Sequence, residues 1–302
     1  MKKHFIDINY FSKQDLRTIL DLAKKIKKNP KNYSSILKNK HLGLLFEKQS
    51  NRTRLSFTVG MKKLGGEVID LEFSKIGFGK RESAEDILKT MSQYLDVLII
   101  RNNDHNQLIK LAKLNTIPII NGLSNFSHPC QILSDIFTIE ECLGNIENKK
   151  IVWMGDYNNV LISLIQAAEI FKFSLDILMP NLLIKKANKY CKTKKLKFSK
   201  FVSNINAGLK NADCVMTDVW ISMGEKKSNH KIKILKNYQV NEEVMKKTKK
   251  TSIFMHCLPA HRNEEVTDSV IDGKKSVVWL QAKNRTYVQQ SILCYLLKNE
   301  KN

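Results

Sequence analysis

Short apolar runs alternate with amphipathic segments along the whole chain. Ser12 and Asp15 have the spacing of a helix-opening cap, and Leu16, Ile19, Leu20, Ala23 and Ile26 then fall on one helical face. His41 to Glu47 reads as a buried strand, because its apolar run is nearly continuous. A helix from about Thr53 to Leu64 is stopped by Gly65 and Gly66 and leads to a strand near Glu67 to Glu72. The pattern predicts further strands at Asp96 to Ile100, Thr116 to Ile120, Lys150 to Met154, Ser174 to Met179, Cys214 to Asp218, Ser252 to His256 and Ser276 to Leu280. Helices fill most of the gaps. Such alternation specifies an α/β fold of parallel sheets with helices on both faces, wound twice over.

A break is expected near residue 145. Gln131 to Leu143 reads as a helix closed by Gly144, and the polar stretch Asn145 to Lys150 opens a second alternating series. The expected organisation is two doubly wound parallel-sheet domains, 1–145 and 146–302, joined by that linker helix. A C-terminal helix over about 284–299 is expected to pack back on the first domain.

Composition narrows the class. A length of 302 residues favours two domains, and 12 Gly with 5 Pro excludes collagen-like or linker-dominated architecture. No apolar run approaches the roughly 18 residues of a membrane helix, and the start lacks the apolar core of a secretory signal, so a cytoplasmic protein is expected. Six widely spaced cysteines without a CxxC pair argue against a disulfide framework or structural zinc.

The formal charge of +22 raises nucleic acid as a partner. Lysines spread throughout the chain, however, and no aromatic-interleaved basic motif accompanies them, so a solvated basic surface that favours anionic small molecules is expected, with no nucleic acid and no membrane partner. Arginine is scarce, at positions 17, 52, 54, 81, 101, 262 and 285. Where lysine fills the surface, an arginine marks a site that needs the planar guanidinium fork.

Candidate chemistry gathers at strand ends, where open α/β sheets bind ligands. After the first strand, Ser50-Asn51-Arg52-Thr53-Arg54 places hydroxyls and two arginines at a helix mouth, a phosphate cradle or equally a helix cap with exposed arginines. The strand ending at Ile100 delivers Arg101, and the next delivers Asn121-Gly122 and then His128-Pro129-Cys130-Gln131 at a helix start. In the second half, Gly155-Asp156-Tyr157-Asn158-Asn159 lacks the glycines of a dinucleotide fingerprint. Asp218 ends a strand and is either a turn cap or a carboxylate for a substrate ammonium. His256-Cys257-Leu258-Pro259 forms a constrained loop whose Cys257 is nucleophile, ligand contact or packing. The crevice between the domains is the expected site.

Together, Ser50-Asn51-Arg52-Thr53-Arg54, His128-Pro129-Cys130-Gln131, Asp218-Val219-Trp220-Ile221-Ser222-Met223-Gly224 and His256-Cys257-Leu258-Pro259 resemble the aspartate/ornithine carbamoyltransferase family, in family order over nearly the whole chain. The Ser-Met-Gly loop and the His-Cys-Leu-Pro segment are similar to its ornithine-using branch and differ from the Pro-Leu-Pro-Arg pattern associated with aspartate. The resemblance implies transfer of a carbamoyl group from carbamoyl phosphate to the δ-amine of L-ornithine, giving L-citrulline and phosphate, without metal or organic cofactor. By match of position it implies that Ser50, Asn51, Arg52, Thr53 and Arg54 hold the phosphate, and that Arg101, His128 and Gln131 hold the carbamoyl end. Asn159, Asp218, Ser222 and Met223 would take ornithine, and Cys257, Leu258 and Arg285 would complete the carbamoyl phosphate site. Arg101, His128 and Cys257 would be the catalytic set.

The resemblance further implies a homotrimer, or a multiple of trimers, in which the loop Phe73-Ser74-Lys75-Ile76-Gly77 reaches an adjacent subunit. Lys75 stands where these enzymes commonly carry glutamine, and it is expected to bind the neighbour's phosphate. Glu85 to Leu88 and Gln281 to Arg285 also depart from the commonest spellings. An acceptor other than free ornithine, such as putrescine or an acylated ornithine, is the alternative within the same chemistry; a basic nucleic-acid-binding protein on an inactive fold is the alternative from another class.

Overall fold

The apolar runs form two parallel sheets, and the charge-interrupted runs Glu67–Glu72 and Ser199–Phe201 each lie at a sheet edge. The computed structural model describes residues 3–47, 50–77, 82–191, 196–222, 225–226 and 228–298. These divide into two compact units, one up to Phe137 together with residues from Lys283 onward, the other Thr138–Ala282.

The first unit holds β1 (His41–Phe46), β2 (Glu67–Glu72), β3 (Val97–Arg101) and β4 (Ile119–Leu123), all parallel, in the order β2-β1-β3-β4. β3 is buried at every position while the edge strand β2 is exposed at most of its positions. Its core packs Leu45, Leu98, Ile100 and Ile119 of the sheet against Ile87, Leu88 and Leu108 of flanking helices. The opening helix, Lys13–Lys28, buries the five apolar positions that its periodicity marks, and Ser12 and Asp15 form a reciprocal capping box. Phe5 adds a one-residue bridge to Ile120 on the outer side of β4.

The second unit holds β5 (Lys150–Met154), β6 (Ser174–Leu178), β7 (Ser199–Phe201), β8 (Cys214–Thr217) and β9 (Ile253–His256), parallel in the order β7-β6-β5-β8-β9. Val152, Met154, Val215 and Phe254 form the centre of its core. In each sheet the winding direction reverses once, between β1 and β3 in the first and between β5 and β8 in the second. Helix N-termini diverge at such a reversal and leave a crevice beyond the strand ends, so the topology nominates two places before any side chain is considered.

The chain passes between the units inside the helix Pro129–Leu143 and again inside the C-terminal helix Val278–Lys298. The C-terminal helix packs on the first unit: Asn284 accepts from Lys27 at 2.8 Å, Gln290 donates to the Gly60 carbonyl at 3.2 Å and Tyr295 bonds Asp15.

Two expected elements need correction, and one strand was not expected. Ser276 to Leu280 is not a strand: Val277 donates to Phe254 and Ser276 bridges to it, but the helix begins at Val278. An apolar run this short has the same pattern in a buried strand and at a helix start. The strand expected at Thr116 to Ile120 runs instead from Ile119 to Leu123. Pro118 has no N–H to give the ladder, so pairing can begin fully only after it. β7, three residues beyond a lysine-rich stretch, had no apolar run to announce it.

Candidate active site

At the reversal point of the first sheet, the chain leaves β1 and enters the helix Asn51–Lys63 through Ser50. Ser50 occupies the cap position, yet its side chain makes no cap bond. Its hydroxyl instead accepts from Arg101 Nη1 at 2.8 Å, across from the end of β3. A serine serving as a cap would point its oxygen at the helix N–H groups, and Ser50 does not. The first turn therefore keeps backbone donors, and the positive end of the helix dipole, facing the crevice.

Arg101 is aimed by the backbone. The register between β3 and β4 shifts after Ile100, so that Arg101 pairs with Leu123 and Gly122 is bulged out. A Cβ on Gly122 would lie 3.0 Å from Ile99 Cγ2 and 3.4 Å from the Ile100 carbonyl, so the bulge admits only the smallest residue comfortably. Arg101 is 8% exposed. Arg285, 3% exposed on the C-terminal helix, donates to Thr53 Oγ1 at 2.8 Å and so orients the hydroxyl of a buried threonine in the same first turn.

His128 is reached by a tight loop. Asn121 Nδ2 donates to the Ile6 carbonyl at 3.0 Å and to Ser127 Oγ at 3.1 Å, fixing the approach to the helix Pro129–Leu143. Burial drives the His128 imidazole well below its ordinary value of 6.5, and the charges of Arg285, Arg101 and Arg52 push it the same way. The ring is neutral at neutral pH, an imidazole held within the field of three guanidinium groups. One turn on, Gln131 Nε2 donates to Asp135 at 2.8 Å, while its buried Oε1 has no hydrogen-bond partner among the described residues and is an acceptor for an incoming N–H. Cys130 is inert, since burial pushes its thiol up to about 12.

The neutrality of His128 gives a pH prediction. Its folded value lies below the unfolded value of 6.5, so the unfolded chain takes up a proton that the folded chain refuses. The stability it contributes is complete above pH 6.5 and is lost as pH falls below it. His128→Asn is expected to flatten this acid-side loss in urea titrations repeated across pH; an unchanged slope would show that the imidazole titrates normally.

At the reversal point of the second sheet, Asp218 follows β8 and Asn158 follows β5. Asn158 Oδ1 caps the helix Asn159–Phe171 by accepting from Val160 and Leu161, and its Nδ2 donates to Asp218 Oδ2 at 2.8 Å. The thiol of Cys257, just past β9, donates to Asp218 Oδ1 at 3.0 Å. Burial raises the Asp218 carboxyl above the ordinary carboxylate value; His256 and the Cys257 hydrogen bond act in the opposite direction. His256 Nδ1 accepts from the Leu258 N–H at 2.9 Å, so its other nitrogen carries the proton and meets buried Glu265 at 3.1 Å. That pair holds the turn through Leu258, whose φ of 57° is left-handed. Asp218, His256 and Cys257 bring three metal-ligand atoms within 4.8 Å, each already engaged in these bonds.

The arrangement sorts the sequence candidates. Ser50, Thr53, Arg101 and Arg285 are joined by hydrogen bonds in two pairs, and Arg52 contributes to the same electrostatic field around His128, with Gln131 one turn further on. Asn51 is exposed. Arg54 is turned elsewhere: its guanidinium lies 4.8 Å over the Phe46 ring and pairs with Asp70 of β2. Helical residues two apart face nearly opposite ways, which fits Arg54 engaging Phe46 and Asp70 while Arg52 acts in the field at His128. Lys75 is exposed and bonds Glu72 at 2.8 Å. Asp218 and Cys257 meet, Asn159 opens its helix beside Asn158, Leu258 packs partly against the core and Ser222 is half-buried. Met223 lies outside the described residues. Asn158 and Glu265 escaped the sequence reading. Asn158 had a signal, as a cap residue directly before an apolar run; Glu265, nine positions from its histidine partner, had none.

The profile of the aspartate/ornithine carbamoyltransferase carbamoyl-phosphate-binding domain matches residues 3–141, and that of its aspartate/ornithine-binding domain matches residues 147–296. The chain is 43% identical over 297 residues to an ornithine carbamoyltransferase of Bradyrhizobium diazoefficiens, covering 97% of this chain and 96% of that one. It is 41% identical over 299 residues to one from Agrobacterium fabrum, covering 98% of each. Among solved structures it is similar to ornithine carbamoyltransferase from Pyrococcus furiosus, with TM-score 0.90, 37% identity and coverage of 99% of this chain and 98% of that one. An anabolic ornithine carbamoyltransferase from Campylobacter jejuni gives TM-score 0.87 and 32% identity over 99% of this chain and 100% of that one. Two domain profiles in order and relatives spanning the full length agree with the residues at both sheet reversals: the chain belongs to the aspartate/ornithine carbamoyltransferase family.

Proposed function

We infer that this chain transfers the carbamoyl group of carbamoyl phosphate to the δ-amine of L-ornithine, giving L-citrulline and phosphate, a reaction of arginine metabolism. The observation that carries the reading is the convergence of Arg52, Arg101 and Arg285 on a neutral His128 beside an uncapped helix start. A doubly charged acyl phosphate suits that field. The neutral His128 ring can donate to or accept from the carbamoyl group without adding to the surrounding positive charge, and the Gln131 acceptor suits its N–H₂ end. The ornithine acceptor is supported by the relatives' names and by a buried carboxylate, Asp218, at the reversal point of the other sheet.

In this reading the δ-nitrogen lone pair attacks the carbonyl carbon, negative charge builds on the carbonyl oxygen, and the C–O bond to phosphate then breaks with its electron pair while the nitrogen passes its extra proton to the departing phosphate. Arg101, His128 and the Thr53 hydroxyl stabilise the oxyanion; Arg52 and the helix N–H groups stabilise the departing phosphate. Asp218 receives the α-ammonium of ornithine and Cys257, bonded to it, orients the acceptor. The amine itself is the nucleophile, so no covalent thiol intermediate is required. A cytoplasmic homotrimer, with Lys75 reaching a neighbour's phosphate, is the assembly the family resemblance implies.

The test uses purified protein, labelled carbamoyl phosphate and a panel of ornithine, putrescine and N-acetylornithine. Labelled citrulline is expected from ornithine, with the other amines at least about tenfold poorer in kcat/KM, because N-acetylornithine has no α-ammonium for Asp218 and putrescine has no α-carboxylate. Preference for putrescine or the acylated amine would overturn the acceptor assignment.

A further inference from the structure

We propose that Lys231 is a positioning residue for the amino acid substrate, tying the Ser222 segment to the end of β5 through a chain of ion pairs from Asp156 to Glu225. This deepens the proposed function and rests on Ser222 being part of the ornithine subsite, as the family resemblance implies.

In a chain where lysine is the ordinary surface residue, Lys231 is unusual, with a side chain 16% exposed. Its ammonium lies 2.7 Å from Asp156 Oδ2, whose side chain is 3% exposed, and 2.9 Å from both carboxylate oxygens of Glu225. Glu225 carries the connection onward: its Oε2 accepts from the Ser222 N–H at 3.1 Å, and its own N–H donates to the Ser222 carbonyl at 2.9 Å. Asp156 is anchored at the other end, where its carbonyl accepts from Trp153 Nε1 of β5 at 2.9 Å. Two residues later Asn158 bonds Asp218. Lys231 thus sits between the strand end that sets Asp218 and the segment that presents Ser222.

The energetics favour a fixed arrangement. A buried carboxylate deprived of its cation is costly, and burial already pushes Asp156 up to about 6 despite the bond to Lys231. The ammonium therefore cannot leave Asp156 freely, and Glu225 follows it. Helical geometry adds to this, because Ser228 caps the helix Asn229–Leu235 by accepting from the Lys231 N–H at 3.2 Å, which sets the base of the side chain. Asp156, Glu225 and Lys231 all belong to the second unit, so the effect should fall on the amino acid substrate.

Steady-state kinetics on the full chain test the proposal. Lys231→Met is expected to raise KM for ornithine about tenfold, the scale of one lost charge-assisted contact, with KM for carbamoyl phosphate within about twofold of the starting protein. Lys231→Arg should restore most of the loss. Glu225→Gln, at a residue 41% exposed, should shift KM for ornithine in the same direction and carries the test alone if Lys231→Met fails to fold. Combining the two should cost little more than the worse single change, as expected for members of one chain of contacts. A fall in thermal stability with both KM values unchanged, or equal rises in both, would overturn the proposal. Ser222→Ala separates the two levels: if it raises KM for ornithine while Lys231→Met and Glu225→Gln do not, only the positioning role falls; if it leaves KM unchanged, the ornithine reading of Ser222 falls and the proposal with it.

Discussion

Arg101→Met should lower kcat/KM for carbamoyl phosphate by about 10²- to 10³-fold, the effect typical of removing one preorganised oxyanion donor. Several features prepare this side chain. It ends a strand with every position buried, a bulge at Gly122 sets its direction, and Ser50 accepts one of its N–H groups at 2.8 Å. An arginine held this way has given up its rotamer freedom before substrate arrives, so little ordering cost is left for the transition state. Methionine keeps the bulk and the apolar stem, so the loss measures charge and hydrogen bonding. The apparent KM for ornithine, measured at saturating carbamoyl phosphate, should move by less than about threefold, because Arg101 belongs to the other half-site. A loss confined to stability, or an equal rise of KM for both substrates, would count against the assignment.

Asp218→Asn is expected to raise KM for ornithine by about 10²-fold, in the range for truncating one partner of a buried, hydrogen-bonded charge pair. The change is isosteric, but Asn158 Nδ2 and the Cys257 thiol both donate to this carboxylate. An amide would offer one of them a donor in place of an acceptor, and it would bring no charge to the α-ammonium. The pH dependence supplies a second readout. Burial raises the Asp218 carboxyl above the ordinary carboxylate value, and only its ionised form pairs with the ammonium. As pH falls through that raised value, KM for ornithine should rise in the starting protein, over and above the rise from protonation of the δ-amine that both proteins share; the Asn variant should lack the extra limb. Its persistence in the variant would place the titrating group elsewhere.

Much of this was legible before any coordinates. Strands such as β1 and β3 announced themselves through near-continuous apolar runs, and the motifs fell at strand ends because parallel sheets put their chemistry there. The scarcity of arginine was informative in a particular way. Arg52, Arg101 and Arg285 surround His128, while Arg54 and Arg262 use the same fork on carboxylates, Asp70 for one and Asp268 with Asp272 for the other. Scarcity pointed to bidentate sites, but only geometry separates a ligand from a structural partner. The tie between Arg285 and Thr53 spans 232 positions, and that between Asn158 and Asp218 spans 60, so neither had a local pattern to reveal it. The Ser50 ambiguity had the same origin, since cap and cradle demand identical residues and differ only in where one hydroxyl points.

The most direct test of the account is calorimetric binding of phosphonoacetamide, a non-transferable analogue of carbamoyl phosphate, to the purified chain and to the Arg101→Met and Asp218→Asn variants. The account predicts binding that weakens with added salt, falls at least about tenfold with Arg101→Met and survives Asp218→Asn. Undiminished binding by the Arg101 variant would contradict it.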